Sequence, residues 1–267
     1  MNRLKGGLGI PALRDPRWLV ALFLFGYALI PMAKAFYTQT PGQLAAIIVT
    51  CVGLDVLLNF WFFQKWIFPL SAFITALAAF VFVGASSALV YAAVGALAIL
   101  SKHFVAVDNR HIFNPSNFAL TVLWIFLPGY AVIDPLNRWE GSPWFTLLMG
   151  GIGLLIVYRA KRLVLSVSYI AAFFAMSLLQ SWTTGETFLM LAAPASGEFF
   201  QYCAFYMIAD PATTPAKTKN QIYFGVLLGG LEKVLRFSQV QQAALFSLFI
   251  VCAFYTLRRE NREARLP

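Results

Sequence analysis

The feature that most limits what this chain can fold into is the unbroken length of its apolar runs. Ten can be drawn, near residues 18–35, 43–60, 66–84, 86–104, 113–128, 142–159, 163–182, 187–209, 221–236 and 240–257. A helix needs about 20 residues to cross the hydrocarbon of a bilayer, whereas membrane strands show as short alternating segments. The runs here are continuous, so the chain reads as an all-α, polytopic membrane protein embedded in a lipid bilayer. Composition agrees: 60% of residues are hydrophobic and 12% charged, about half the charge of a soluble domain. The net charge of +9 would suggest nucleic-acid binding in a soluble protein. In a membrane chain the placement of the cations matters more, and nucleic acid is not an expected partner.

If all ten segments cross, sixteen of the twenty Lys and Arg fall on the side that holds both termini. Only Lys34, Arg138, Lys233 and Arg236 fall opposite. The positive-inside rule then puts both termini in the cytoplasm of a bacterial cell with the chain in its inner membrane. A missing span would scramble this alternation. The basic start, first apolar run and Ala33-Lys34-Ala35 also have the form of a signal peptide, but the run is longer than most signal cores.

Ten spans divide into five plus five around the polar loop 129–141, giving residues 1–130 and 131–267 as two halves of one membrane domain. Five is odd, so the halves are expected to be inverted relative to each other, with broken or short helices near the midplane. The third and eighth segments correspond in position and both carry proline and small polar residues: Pro69, Ser71 and Thr75 in one, Pro194, Ser196 and Gly197 in the other.

Two stretches suggest binding. In the loop 102–117, Asn114-Pro115 is a good helix start, because Asn caps and Pro fits the first turn. A helix start favours an anion, and Lys102, His103, Arg110 and His111 add positive charge. A plain cytoplasmic loop that follows the positive-inside rule would carry the same residues, and the histidine spacing does not give a metal site. The second stretch is Asp210-Pro211-Ala212-Thr213-Thr214-Pro215, where Asp210 is expected to cap a short helix beginning at Pro211. Both helix starts face one side in the ten-span scheme, so they can converge on one ligand; two tight turns at the membrane edge are the plainer reading.

Carboxylates inside apolar runs are costly. Asp55 in the second segment and Glu198 in the eighth are candidates for an ion or proton site, or for structural hydrogen bonding. Glu232 in the ninth is read as lying near the outer interface. Tyr202, Phe205 and Tyr206 either stack on a planar ring or pack against lipid. Gly150, Gly151, Gly153, Gly225 and Gly229 suggest close helix packing, and the isolated Cys51, Cys203 and Cys252 read as small buried hydrophobes.

The run Phe205–Pro215, followed by the glycine-rich segment 224–236, resembles the signature of the RnfD component of the Rnf electron-transport complex. It is also similar to the NqrB component of the sodium-pumping NADH:quinone reductase. Residues 101–120 look like a second segment of that family, ending in Phe113-Asn114-Pro115. The resemblance implies two inverted five-helix repeats similar to urea transporters, flavin binding, and a place in a redox-driven ion pump with other membrane subunits. It also implies a flavin mononucleotide esterified to the threonine of a Ser-Gly-Ala-Thr motif. That motif occurs nowhere in this chain, and Thr213 and Thr214 belong to a different segment of the pattern. Covalent FMN is therefore not expected. The expectation is a non-covalent flavin (FMN or riboflavin) or a quinone-like ring, in electron transport or transmembrane transport. Lys102, His111, Asn114, Pro115, Tyr202, Tyr206, Asp210, Thr213 and Thr214 would bind it. The alternative is a small-solute channel or transporter, or a structural component of a membrane complex, that has lost electron transfer. No catalytic nucleophile is recognisable.

Overall fold

The computed structural model of the chain describes residues 11–12, 15–33, 39–64, 66–107, 110–129, 131–133 and 143–263. Lys34, Lys65, Arg138 and most of the 129–141 loop, on which parts of the topology reading rest, fall outside the described residues. The protein is built from helices, and the described residues also form four two-residue strands in two small antiparallel pairs. Helices occupy all ten apolar segments. Among the described residues, Pro41–Phe63 and Leu163–Thr184 are long and apolar enough to cross a membrane unaided, and the other apolar helices are shorter. The chain divides into two compact units: Met1–Phe104 with Phe118–Asp134, and Val105–Asn117 with Pro135–Pro267.

In the first unit, α1 (Pro16–Ala33), α2 (Pro41–Phe63), α3 (Leu70–Phe82) and α4 (Ala88–Phe104) follow in order. The start of α2 is well specified: Thr40 and Gln43 form a reciprocal capping box and Pro41 takes the first turn. Pro69 does not interrupt the third segment but stands immediately before α3, whose 13 residues then run unbroken. Thirteen residues rise only about 20 Å, short of a hydrocarbon core of about 30 Å. The break comes instead at the end of α3, where the chain leaves the helix at β1 (Val83–Gly84) and does not resume one until Ala88. Buried backbone outside a helix needs partners within the protein, and side chains supply them. Gln39 donates to the Phe80 and Val83 carbonyls at 2.8 and 2.6 Å, Gln43 to those of Ala85 and Ser86 at 3.1 Å, and the Tyr91 hydroxyl to Val83 at 2.9 Å. Helices α2 and α4 approach closely at Gly95, where a Cβ would stand 3.0 Å from the Cys51 sulfur.

The second unit begins with β2 (Ala106–Val107) paired with β3 (Arg110–His111), followed by the start of α5 (Pro115–Phe126). The rest of α5 belongs to the first unit, as does β4 (Val132–Ile133), which pairs on β1. The second unit resumes with α6 (Pro143–Arg159) and α7 (Leu163–Thr184). The eighth segment is broken, as its proline and glycine suggest: α8 (Phe188–Ala192), a 3-10 turn at Ala193–Ser196, α9 (Glu198–Tyr202) and a π-helical turn at Cys203–Met207. Its carbonyls are again taken by side chains: Ser166 donates to Ala204 at 2.6 Å, and Lys233 to Leu191 at 2.7 Å. α10 (Thr218–Phe237) packs along α7, and α11 (Ala243–Glu263) returns against α10.

The glycines divide. A Cβ at Gly225 would stand 2.6 Å from the Leu165 carbonyl oxygen, and one at Gly229 would collide with that of Tyr169. Gly153 has Phe205 at 2.5 Å, so these three are close-packing sites. Gly150 and Gly151 face open space, contrary to the sequence reading. All three cysteines are buried. Outward positions carry large apolar side chains such as Trp61 (79% exposed) and Trp144 (80% exposed), which is what a lipid-facing surface requires.

Candidate functional site

The second unit brings together most of the residues singled out from the sequence. Asn114 caps α5 as expected: its Oδ1 accepts from the Asn117 N–H at 3.3 Å and from the Ser116 hydroxyl at 2.7 Å, and Pro115 is the first helical residue. Its Nδ2 donates to the Met207 carbonyl at 3.4 Å, reaching the end of the π-helical turn. Three residues before Asn114, His111 Nε2 lies 2.9 Å from Asp210 Oδ2. The loop 105–117 and the Asp-Pro segment are thus held together by a side-chain pair and an amide.

No helix begins at Pro211, which corrects the sequence reading. Residues 211–213 form a turn, and Asp210 Oδ1 accepts the Ala212 N–H at 2.9 Å. The Thr213 and Thr214 hydroxyls bond back to the Asp210 carbonyl at 3.4 and 2.6 Å. Such local hydroxyl bonds compete with helix formation, and Pro215 disfavours the helical conformation at Thr214. Both threonines are buried.

A residue not singled out as a site closes this turn. Arg162, between α6 and α7, donates through Nε to Thr214 Oγ1 at 2.9 Å and through Nη2 to the Thr214 carbonyl at 3.4 Å. Its Nη1 reaches the carbonyls of Ala160 and Lys161 at 3.4 and 3.2 Å. Burial pulls the Arg162 pKa below its ordinary value, and the nearby Asp210 carboxylate opposes that shift. In the sequence, Arg162 is one of three cations in a short loop, and only the fold distinguishes it.

The space beside this turn is small. A pocket lined in part by Arg110, His111, Thr213, Thr214 and Tyr255 has a volume of about 20 Å³, room for about one water. Pockets for small ligands run from about 300 Å³, so the turn does not enclose a flavin or quinone ring. Tyr202 and Tyr206 are buried and stack on each other with centroids 5.4 Å apart and planes 8° from parallel. The Tyr206 hydroxyl donates to the Met149 carbonyl at 3.1 Å. The ring faces expected to hold a ligand are therefore partly used by the protein's own packing.

Among the described residues, charge buried between the helices forms two further clusters, one in each unit. In the first, Asp55 on α2 accepts from the Lys102 ammonium at 2.8 Å, and His103 Nε2 lies 3.1 Å from the same oxygen. Lys102, expected to serve a ligand, is thus engaged with Asp55 on the neighbouring helix. In the second, Glu232 on α10 accepts from the Tyr169 hydroxyl of α7, while Arg236 one turn along holds its other oxygen at 2.7 Å. Glu232 is fully buried within the protein, five residues before the end of α10. Lys233 and Arg236 both lie over the Phe173 ring, at 5.1 and 5.9 Å. Glu198 is buried in the first turn of α9.

A helical protein with a lipid-like outer surface, broken segments sealed from within and paired charges between its helices is an integral membrane protein. Residues 132–258 match the family described as NQR2, RnfD, RnfE. The matched stretch includes the Asp-Pro turn and the glycine-rich α10. The loop 102–117 lies outside the matched residues. No curated protein matches the chain.

Proposed function

We propose that this chain is a membrane component of a redox-linked complex of the NQR2, RnfD, RnfE kind. It crosses a bacterial inner membrane ten times as two inverted five-helix repeats, with both termini in the cytoplasm, and works with other membrane subunits. The observation that carries the repeat is a shared arrangement. In the first half, the second and fourth segments (α2 and α4) pack together over a buried, cation-paired carboxylate, Asp55. In the second half, the second and fourth segments (α7 and α10) do the same over Glu232. Both third segments leave the regular α-helix, and side chains take up the carbonyls freed there. Intramembrane charges of this kind are typical of ion and proton pathways.

In this reading the chain holds a flavin or quinone-like ring without a covalent bond, and that ring supplies the electron transfer when bound. His111, Asn114, Asp210 and Arg162 set the shape of the Asp-Pro turn rather than enclosing the ring, because the pocket there has room for about one water. The same small volume, with the missing Ser-Gly-Ala-Thr motif, favours a second reading, a channel or transporter that has lost electron transfer.

An absorption spectrum of the purified chain separates the two. The first reading expects a flavin band, or a quinone on extraction, that survives mild detergent washing and leaves the protein on denaturation. A colourless preparation with no extractable quinone, from cells supplied with riboflavin, rejects it and leaves the second.

A further inference from the structure

A groove of about 430 Å³ runs between α10 and α11, within the size range of ligand sites. At one end are Lys219, Asn220 and Arg258; the walls continue through Tyr223, Phe254 and Leu227. Consecutive antiparallel helices place these residues in register, so the groove has a basic mouth and an apolar body. From Lys219 to Leu227 the helix rises about 12 Å, close to the depth of one leaflet. The Phe224 and Tyr255 rings meet edge to face at 5.7 Å beneath it.

We infer that this groove binds an anionic phospholipid, its phosphate at Lys219 and Arg258 and an acyl chain along Tyr223, Phe254 and Leu227. Charge decides the headgroup. Among the residues whose side chains are described, no carboxylate lines the groove and none forms an ion pair with either cation. Basic pockets between membrane helices select anionic headgroups in this way. The body decides between a lipid and a free phosphate. Tyr223 is 63% exposed and Phe254 52%, an apolar wall that a soluble anion would leave uncovered and an acyl chain covers. The inference rests only on the chain being embedded in a membrane, not on its holding a redox ring.

The test uses the whole chain, purified in mild detergent and washed free of co-purifying lipid. Phosphatidylglycerol and phosphatidylcholine with the same acyl chains are titrated in, and bound lipid is counted by native mass spectrometry. Phosphatidylglycerol is expected to bind about ten-fold more tightly. Combining Lys219→Gln with Arg258→Gln should bring it to the phosphatidylcholine level, while Arg159→Gln, an exposed cation outside the groove, should change nothing. Leu227→Trp keeps both cations but fills the groove, and should expel the lipid. Unaltered thermal unfolding of each variant establishes that the fold is intact. Equal binding of the two lipids, undiminished binding in the double variant, or displacement by inorganic phosphate would overturn the inference.

Discussion

Replacing Asp55 by alanine is expected to destabilise the protein by about 3–5 kcal/mol, the usual cost of removing one partner from a buried ion pair. The carboxylate is almost fully buried and has two partners, the Lys102 ammonium at 2.8 Å and the His103 ring nitrogen at 3.1 Å. Without it, the Lys102 ammonium, whose side chain is 18% exposed, has to be held inside the α2–α4 interface or drawn out of it. Asp55→Asn keeps the shape and a hydrogen-bond acceptor and should cost less. The combination Asp55→Leu with Lys102→Met removes both charges, and should recover much of the loss because a buried pair exchanged for apolar packing is often close to neutral. Thermal unfolding of the four proteins in one detergent reads the order directly. An Asp55→Ala protein as stable as the unaltered chain would show that the pair is not holding these helices.

The second large effect is expected at Gly229. There α10 crosses α7 so closely that a single added carbon would strike the Tyr169 carbonyl oxygen and stand 3.0 Å from the Ala172 Cβ. Backbone cannot step aside as a side-chain tip can, so Gly229→Ala has to separate the helices. The expected cost is about 1–3 kcal/mol, as for other overpacked interiors, and more for Gly229→Leu. Widening this crossing also pulls Tyr169 away from Glu232, which sits about one turn further along α10. The neighbouring Gly230 is a built-in control, because a Cβ there meets nothing within 4 Å. Gly230→Ala should stabilise slightly, by about 0.5–1 kcal/mol, through helix propensity alone. Opposite signs at adjacent glycines would be hard to obtain from any account except a one-sided helix contact.

These two sites also mark where the sequence is and is not legible. Apolar length and capping chemistry are local, so the helices lie close to where they are expected: α2 begins at Pro41 behind a Thr40–Gln43 capping box, and Asn114-Pro115 opens α5. Gly225 and Gly229, one turn apart on the same helix face, point to a close packing that the structure contains. Side-chain partners across helices are not local: Asp55 meets Lys102 across 47 residues and Glu232 meets Tyr169 across 63, so a residue-by-residue reading sees isolated carboxylates. Arg162 reads as one more positive-inside cation until the fold sets it against Thr214. The expected helix after Asp210 fails for a reason visible only when every competitor is weighed together: two threonine hydroxyls and a second proline all favour the turn.

The central claim is that the two halves are inverted repeats, and side-specific labelling of one engineered cysteine tests it most directly. Cys51, Cys203 and Cys252 are buried, so a cysteine placed at Gly129, just after the fifth segment, can be followed in the full chain. Five crossings from a cytoplasmic N-terminus put that position outside, and Lys217→Cys inside. In intact cells a membrane-impermeant maleimide should therefore label Gly129→Cys and leave Lys217→Cys unlabelled until the cells are opened. Labelling of both positions only after opening would put them on one side of the membrane, where the five-plus-five scheme places three crossings between them, and would contradict the inverted repeat.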